Sequence, residues 1–207
     1  MDFHFGQVTK KAATVQAPRA GSPGLSMSSA IAHLLLMRAL NTALVVTAAL
    51  ALAGSALAAT PPKTGIASFA ELKTPLPYPY REDANADAAV AKARAQARKH
   101  GKLLLIDLGG NWCGDCRVLA GTLELPGVKA FMDRHYEVVT VDVGRFERNL
   151  QIPARYGFKT RLKGVPTLLV VDPKTDRLLN RDDVFALSSA GDMSPQALAD
   201  WLARWPK

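Results

Sequence analysis

Both cysteines of the 207-residue chain lie in one short stretch, Asn111-Trp-Cys-Gly-Asp-Cys-Arg117, with Gly114 and Asp115 as the spacer between Cys113 and Cys116. Thiols at this spacing can serve three chemistries: half of a metal site, a structural crosslink, or a dithiol that is oxidised and reduced in turn. A structural zinc site takes four ligands, and no second cysteine pair exists to complete one. Of the four histidines, His4 and His33 precede the apolar leader, and His100 and His135 each close a predicted helix on its solvated side. That position also argues against a cysteine–histidine nucleophile. Covalent haem attachment calls for a histidine directly after the second cysteine, where this chain has Arg117. An iron–sulfur cluster lacks ligands. No metal and no cofactor beyond the cysteines themselves is therefore expected. As a crosslink the pair is poorly placed: a loop of four residues is worth about 2 kcal/mol, against about 5 kcal/mol for a hundred-residue loop. Redox chemistry is what remains.

The elements around the pair explain how such chemistry would be positioned. Lys102-Leu-Leu-Leu-Ile-Asp-Leu108 is an apolar run of strand length that reads as buried on both faces. Gly109-Gly110 ends it, and a helix starts at the cysteines. Free backbone N–H groups and the positive end of the helix dipole favour a thiolate at that point. Cysteines at i and i+3 share a helix face and come within disulfide reach. Cys113, at the exposed helix end, is expected to attack, and Cys116, one turn inside, to resolve the mixed disulfide.

Downstream and upstream the pattern alternates. A helix is predicted from Asp83 or Asn85 to Lys99, ended by Gly101. Further helical pieces are expected over Arg117–Leu123 and Pro126–His135, and a last one from Ser194-Pro195 through Trp201. Strands are predicted at 137–143, 165–171 and, briefly, 177–179. The alternation predicts an α/β domain with a central mixed sheet and helices on both faces.

The N-terminal part differs in kind. Residues 1–36 read as a low-complexity extension, which translation from Met37, or from Met27, would leave out. Residues 37–58 read as a secretory signal: one basic residue, an apolar run from Ala43 to Ala53, and Ala56-Leu57-Ala58 as the cleavage site. The run of eleven residues is too short to span a bilayer permanently; a retained membrane anchor is the alternative. Residues 59–82 read as a proline-rich, extended linker, and 83–207 as the domain. The net charge of +8 is spread over the chain, the densest group being Lys92, Arg94, Arg98, Lys99 and Lys102 on one helix face and its exit. Dispersed charge of this kind speaks for solubility and against a nucleic-acid partner.

Taken together, Trp112-Cys-Gly-Asp-Cys116, Asp107 six residues before Cys113, and Gly164-Val-Pro-Thr167 followed by Leu168–Val171 resemble the thioredoxin superfamily, and especially its exported thiol reductases. The resemblance spans about residues 84–205. It implies the thioredoxin fold and a thiol–disulfide oxidoreductase, exported to the bacterial periplasm and monomeric. It implies that Asp107 is a buried acid taking the Cys116 proton; the alternative is an acid that caps a turn. It implies that Pro166 is cis and presents the Val165 backbone to an extended substrate, the alternative being an ordinary edge-strand or turn proline. Trp112 would shield one side of the motif, contact substrate, or simply pack in the core. The chain departs from the family at Asp115, where a proline is usual, and at Thr140 or Val141, where a lysine partners the acid in cytoplasmic members. It also carries extra residues, Phe158–Lys163, three of them basic. Lys159, Arg161 and Lys163 would border the substrate groove and favour acidic clients. The expected partners are protein disulfides and an upstream thiol donor of electrons, and the expected direction is reduction. A disulfide oxidase or isomerase of the same fold, or a non-catalytic binding or chaperone module, are the alternatives.

Overall fold

The computed structural model describes residues 59–206, so the extension and signal segment expected at 1–36 and 37–58 lie outside the described residues. Four strands form one mixed sheet in the order β2-β1-β3-β4. They are β1 (Leu103–Gly109), β2 (Tyr136–Asp142), β3 (Thr167–Asp172) and β4 (Arg177–Leu178). β1 runs parallel to β2 and antiparallel to β3, and β3 is antiparallel to β4. The two central strands, β1 and β3, are buried along nearly their whole length. This is why they read as continuous apolar runs rather than alternating ones.

Among the described residues five α-helices flank the sheet: α1 (Ala86–His100), α2 (Gly114–Leu123), α3 (Pro126–His135), α4 (Gln151–Arg155) and α5 (Pro195–Leu202). Asn85 caps α1 by accepting from the Ala88 amide at 3.0 Å, and Gly101 ends it at φ 66°, a left-handed conformation that glycine adopts without strain. Ser194 caps α5 in the same way, with Pro195 in its first turn. One face of the sheet packs Leu104, Ile106, Val139, Val141 and Leu169 against Val90, Ala93 and Ala97 of α1. The other packs Leu105, Leu168 and Val170 against Leu119, Phe131, Met132, Leu198 and Trp201 of α2, α3 and α5. The sheet with helices on both faces is the architecture expected from sequence. α4 was not expected: it is five residues long and holds a proline, Pro153, which erases the periodicity that announces a helix.

The proline-rich stretch 59–82 has no regular strand, but it is fastened to the domain. A 3-10 turn at Phe69–Glu71 closes with a capping box between Ser68 and Glu71. Further along, Leu72 and Tyr80 are buried. Pro79 and its neighbours run beside β2, where the Thr140 hydroxyl donates to the Pro79 carbonyl at 2.9 Å.

Candidate active site

Cys113 is the N-cap of α2, and its sulfur accepts the Cys116 backbone N–H at 3.1 Å. A helix N-terminus thus points a free donor at this sulfur, the local condition that stabilises a thiolate. Cys113 and Cys116 are joined as a disulfide with their Cα atoms 5.3 Å apart. Cys116 is wholly buried, whereas Cys113 keeps 6% of its surface. The order of exposure is the expected one, but Cys113 is far less open than a helix end suggests. Val165 closes over it, its carbonyl oxygen 3.5 Å from the Cys113 sulfur. The Val165–Pro166 peptide is cis, and the loop before β3 brings the Val165 backbone to the cysteine. Main-chain groups beside a reactive sulfur are what an extended peptide can pair with.

Asp107 lies within β1, paired with Thr140 on β2 and Leu168 on β3. At 2% exposure it is buried in the sheet, so it does not cap a turn. Burial pushes its carboxyl up to about 7, opposed by a hydrogen bond from the Tyr80 hydroxyl at 2.8 Å. Thr140 stands opposite Asp107 but gives its hydroxyl to Pro79, so the acid takes its partner from the N-terminal strap and not from β2. A surface groove of about 450 Å³ is lined by Tyr78, Asp107, Lys129, Asp133 and Thr140 among others.

The residues bracketing the cysteines hold that strap. The Asn111 side chain accepts from the Tyr80 amide at 3.1 Å and donates to the Tyr80 carbonyl at 2.8 Å. Arg117 donates to the carbonyls of Leu76 and Pro77, and its guanidinium lies 3.9 Å from the centre of the Tyr78 ring. The two glycines before the motif are demanded by close approach. A Cβ on Gly109 would run into the Tyr80 hydroxyl and would stand 2.8 Å from the Cys116 sulfur; one on Gly110 would stand 2.6 Å from the Trp112 ring nitrogen.

Trp112 is 43% exposed, so it is not a core residue. Its ring N–H donates to the Gly144 carbonyl at 2.8 Å, and its face meets Phe146 edge-on with centroids 5.9 Å apart. The Arg145 guanidinium lies 4.9 Å from the Trp112 ring, and that of Arg161 lies 4.5 Å from Phe146. Lys163 stands over Phe185 at 5.8 Å. Arg161 and Lys163 are thus held on aromatic faces, Arg161 on the ring that meets Trp112, while Lys159 is exposed on the same segment. Asp115 accepts the Gly191 amide at 2.7 Å, tying α2 to the turn before α5. Among the described residues no three His, Cys, Asp or Glu side chains gather as a metal ion would need.

Residues 85–173 match a family model described as thioredoxin-like. A solved structure, described as a disulphide isomerase from Xylella fastidiosa Temecula1, is 36% identical, with a TM-score of 0.57; the match covers 62% of this chain and 96% of that one. The chain belongs to the thioredoxin-like family. The fold is the thioredoxin fold, with its mixed four-stranded sheet between helices. No curated protein matches the chain. Of the residues singled out in the sequence, Cys113, Cys116, Trp112, Val165 and Pro166 come together at the N-terminus of α2, and Asp107 lies beneath them. Sequence reasoning missed Tyr80, and missed that Asn111 and Arg117 hold the strap. Only the proline-rich context of Tyr80 is visible locally, and its acid is 27 residues away.

Proposed function

We propose that the chain is an exported thiol–disulfide oxidoreductase that reduces disulfides of client proteins. The observation that carries this reading is a Cys113 sulfur seated on a helix N-terminus, with Cys116 buried behind it and the Val165 carbonyl beside it. In the reduced protein the Cys113 thiolate attacks a client disulfide, forms the mixed disulfide and expels one client sulfur as thiolate. Cys116 then loses its proton to Asp107 and attacks Cys113. The Cys113–Cys116 bond forms, the second client sulfur leaves, and an upstream thiol donor reduces the pair again. Asp107, held near neutrality by burial, is poised to take a proton at physiological pH.

Direction rests on the sulfur's environment. A strongly stabilised thiolate makes an oxidant. Here Asp115 places a carboxylate next to Cys113, opposed by the helix N-terminus and by Arg117. Net repulsion on the order of 1 kcal/mol disfavours the thiolate and favours giving electrons away. The likeness to a protein described as a disulphide isomerase supports a second reading, isomerisation on the same site. A redox titration against glutathione and dithiothreitol separates them. A potential near the thioredoxin end of the family's range, about −270 mV, supports the reductant, and one near about −180 mV or above overturns it in favour of isomerase or oxidase.

Arg145, Arg161 and Lys163 on their aromatic supports, with Lys159 beside them, favour acidic clients chiefly through encounter rate. Export is supported by the apolar run and the small-residue cleavage site at 56–58. No helix among the described residues is long and apolar enough to cross a membrane.

A further inference from the structure

The N-terminal strap supplies part of the active site. We propose that Tyr80 is a positioning residue for the resolving step: its hydroxyl holds the Asp107 carboxyl facing Cys116, and Asn111 and Arg117 exist to hold the strap that carries it. This role rests on the disulfide-exchange reading above.

Three observations meet here. The Tyr80 hydroxyl donates to Asp107 at 2.8 Å in a buried setting. Asp107 and Gly109 are two residues apart on one strand and so face the same side. A single carbon added to Gly109 would clash with both the Tyr80 hydroxyl and, at 2.8 Å, the Cys116 sulfur, so both atoms lie against the glycine. Acid, hydroxyl and sulfur therefore gather around Gly109 on one side of β1. The strap is not there by chance contact. Asn111 makes two hydrogen bonds to the backbone of Tyr80 itself, and Arg117 two more to Leu76 and Pro77. The residues on either side of the cysteine motif thus couple it to the strap.

In the resolving step the Cys116 S–H gives its proton to the Asp107 carboxylate while the sulfur attacks Cys113. The Cys113–Cys116 bond forms, the bond from Cys113 to the client sulfur breaks, and the client leaves as thiolate with the electron pair. The protein is oxidised by two electrons and the client reduced. A hydroxyl donating to Asp107 stabilises its charged, proton-accepting form, so it lowers the pH at which the base works. The other ionisable groups around this site are Cys116 itself, Asp142 near Tyr80, and Glu124, Lys129 and Asp133 along the groove that Asp107 helps to line. All of them are retained in Tyr80→Phe.

The test is oxidation of the reduced protein by excess oxidised glutathione, followed by tryptophan fluorescence from pH 5 to 9, in wild type, Tyr80→Phe and Asp107→Asn. The rate that no longer depends on glutathione concentration reports resolution by Cys116. In Tyr80→Phe its acid-side midpoint should rise by about one pH unit, making the step about tenfold slower at pH 6. In Asp107→Asn that midpoint should vanish. The Asp107 carboxyl, followed by carbon NMR in the oxidised wild type and Tyr80→Phe, should move by the same amount. Tyr80→Phe keeps the ring and its packing. If it slows the step equally at all pH with an unmoved midpoint, Tyr80 is only structural and the proposal is overturned. A wild type that does not react with glutathione overturns the exchange reading itself, and this role with it.

Discussion

Replacing Asp107 with asparagine should make the protein more stable, and increasingly so as the pH rises. The carboxyl is moved from an ordinary 3.8 to about 7 by burial in the sheet. In the folded state it keeps its proton at pH values where the unfolded chain has already released it. The folded state then binds more protons than the unfolded one, so stability falls as pH rises from about 4 to about 7 and is level above that. At about 1.36 kcal/mol per pH unit, the full displacement costs on the order of 4 kcal/mol at pH 8. The asparagine side chain would not titrate, yet its amide oxygen would still accept from the Tyr80 hydroxyl. Tyr80 is itself held neutral throughout, since burial foremost, then the neighbouring carboxylates, push its own ionisation far upward. Urea unfolding of the oxidised wild type and D107N, at intervals from pH 4 to pH 8.5, measures the difference directly. Groups common to both proteins cancel. The gap should widen by several kcal/mol between pH 4 and pH 8, almost all of it before pH 7.5. A gap that stays constant within about 0.5 kcal/mol across that range would refute the assignment of Asp107 as a buried, proton-retaining acid.

Other outcomes follow from the same geometry. Cys116→Ser should accumulate mixed disulfides with client proteins through Cys113, visible on non-reducing gels and lost on adding reductant; Cys113→Ser should trap none. Gly109→Ala should destabilise the oxidised protein by about 1–3 kcal/mol in denaturant unfolding, because the new methyl group meets the Tyr80 hydroxyl and Cys116 sulfur rather than a flexible chain end. Charge reversal at Lys159 and Arg161 should slow association with an acidic client severalfold at low salt and have little effect at high salt, measured by stopped-flow mixing. If the signal segment is cleaved as its residues suggest, sequencing of the exported protein should begin at Ala59.

Much of this fold could be read in advance because its signals are local. Asn85 and Gly101 delimit α1, Ser194-Pro195 opens α5, and the continuous apolar runs of β1 and β3 mark strands buried on both faces. The cysteine pair, the Gly-Val-Pro-Thr loop and the buried acid were visible for the same reason: each is a short motif with its own chemistry. What the sequence hid are contacts between distant segments. Tyr80 sits among prolines that suggest a linker, and only the folded chain brings it to Asp107. Asp115 reads as a charge next to a thiolate, but its carboxylate also accepts the Gly191 amide, 76 residues on. Phe146 adopts φ 76°, a left-handed conformation that a bulky residue rarely takes. No propensity announces it, although it is the ring that links Trp112 to Arg161.

The dithiol itself is tested by turnover. Insulin-disulfide reduction with dithiothreitol as donor should be accelerated by the wild-type protein well above the uncatalysed rate, and Cys113→Ser should fall to that background. Equal rates in wild type and Cys113→Ser, or no acceleration by the wild type, would contradict the account.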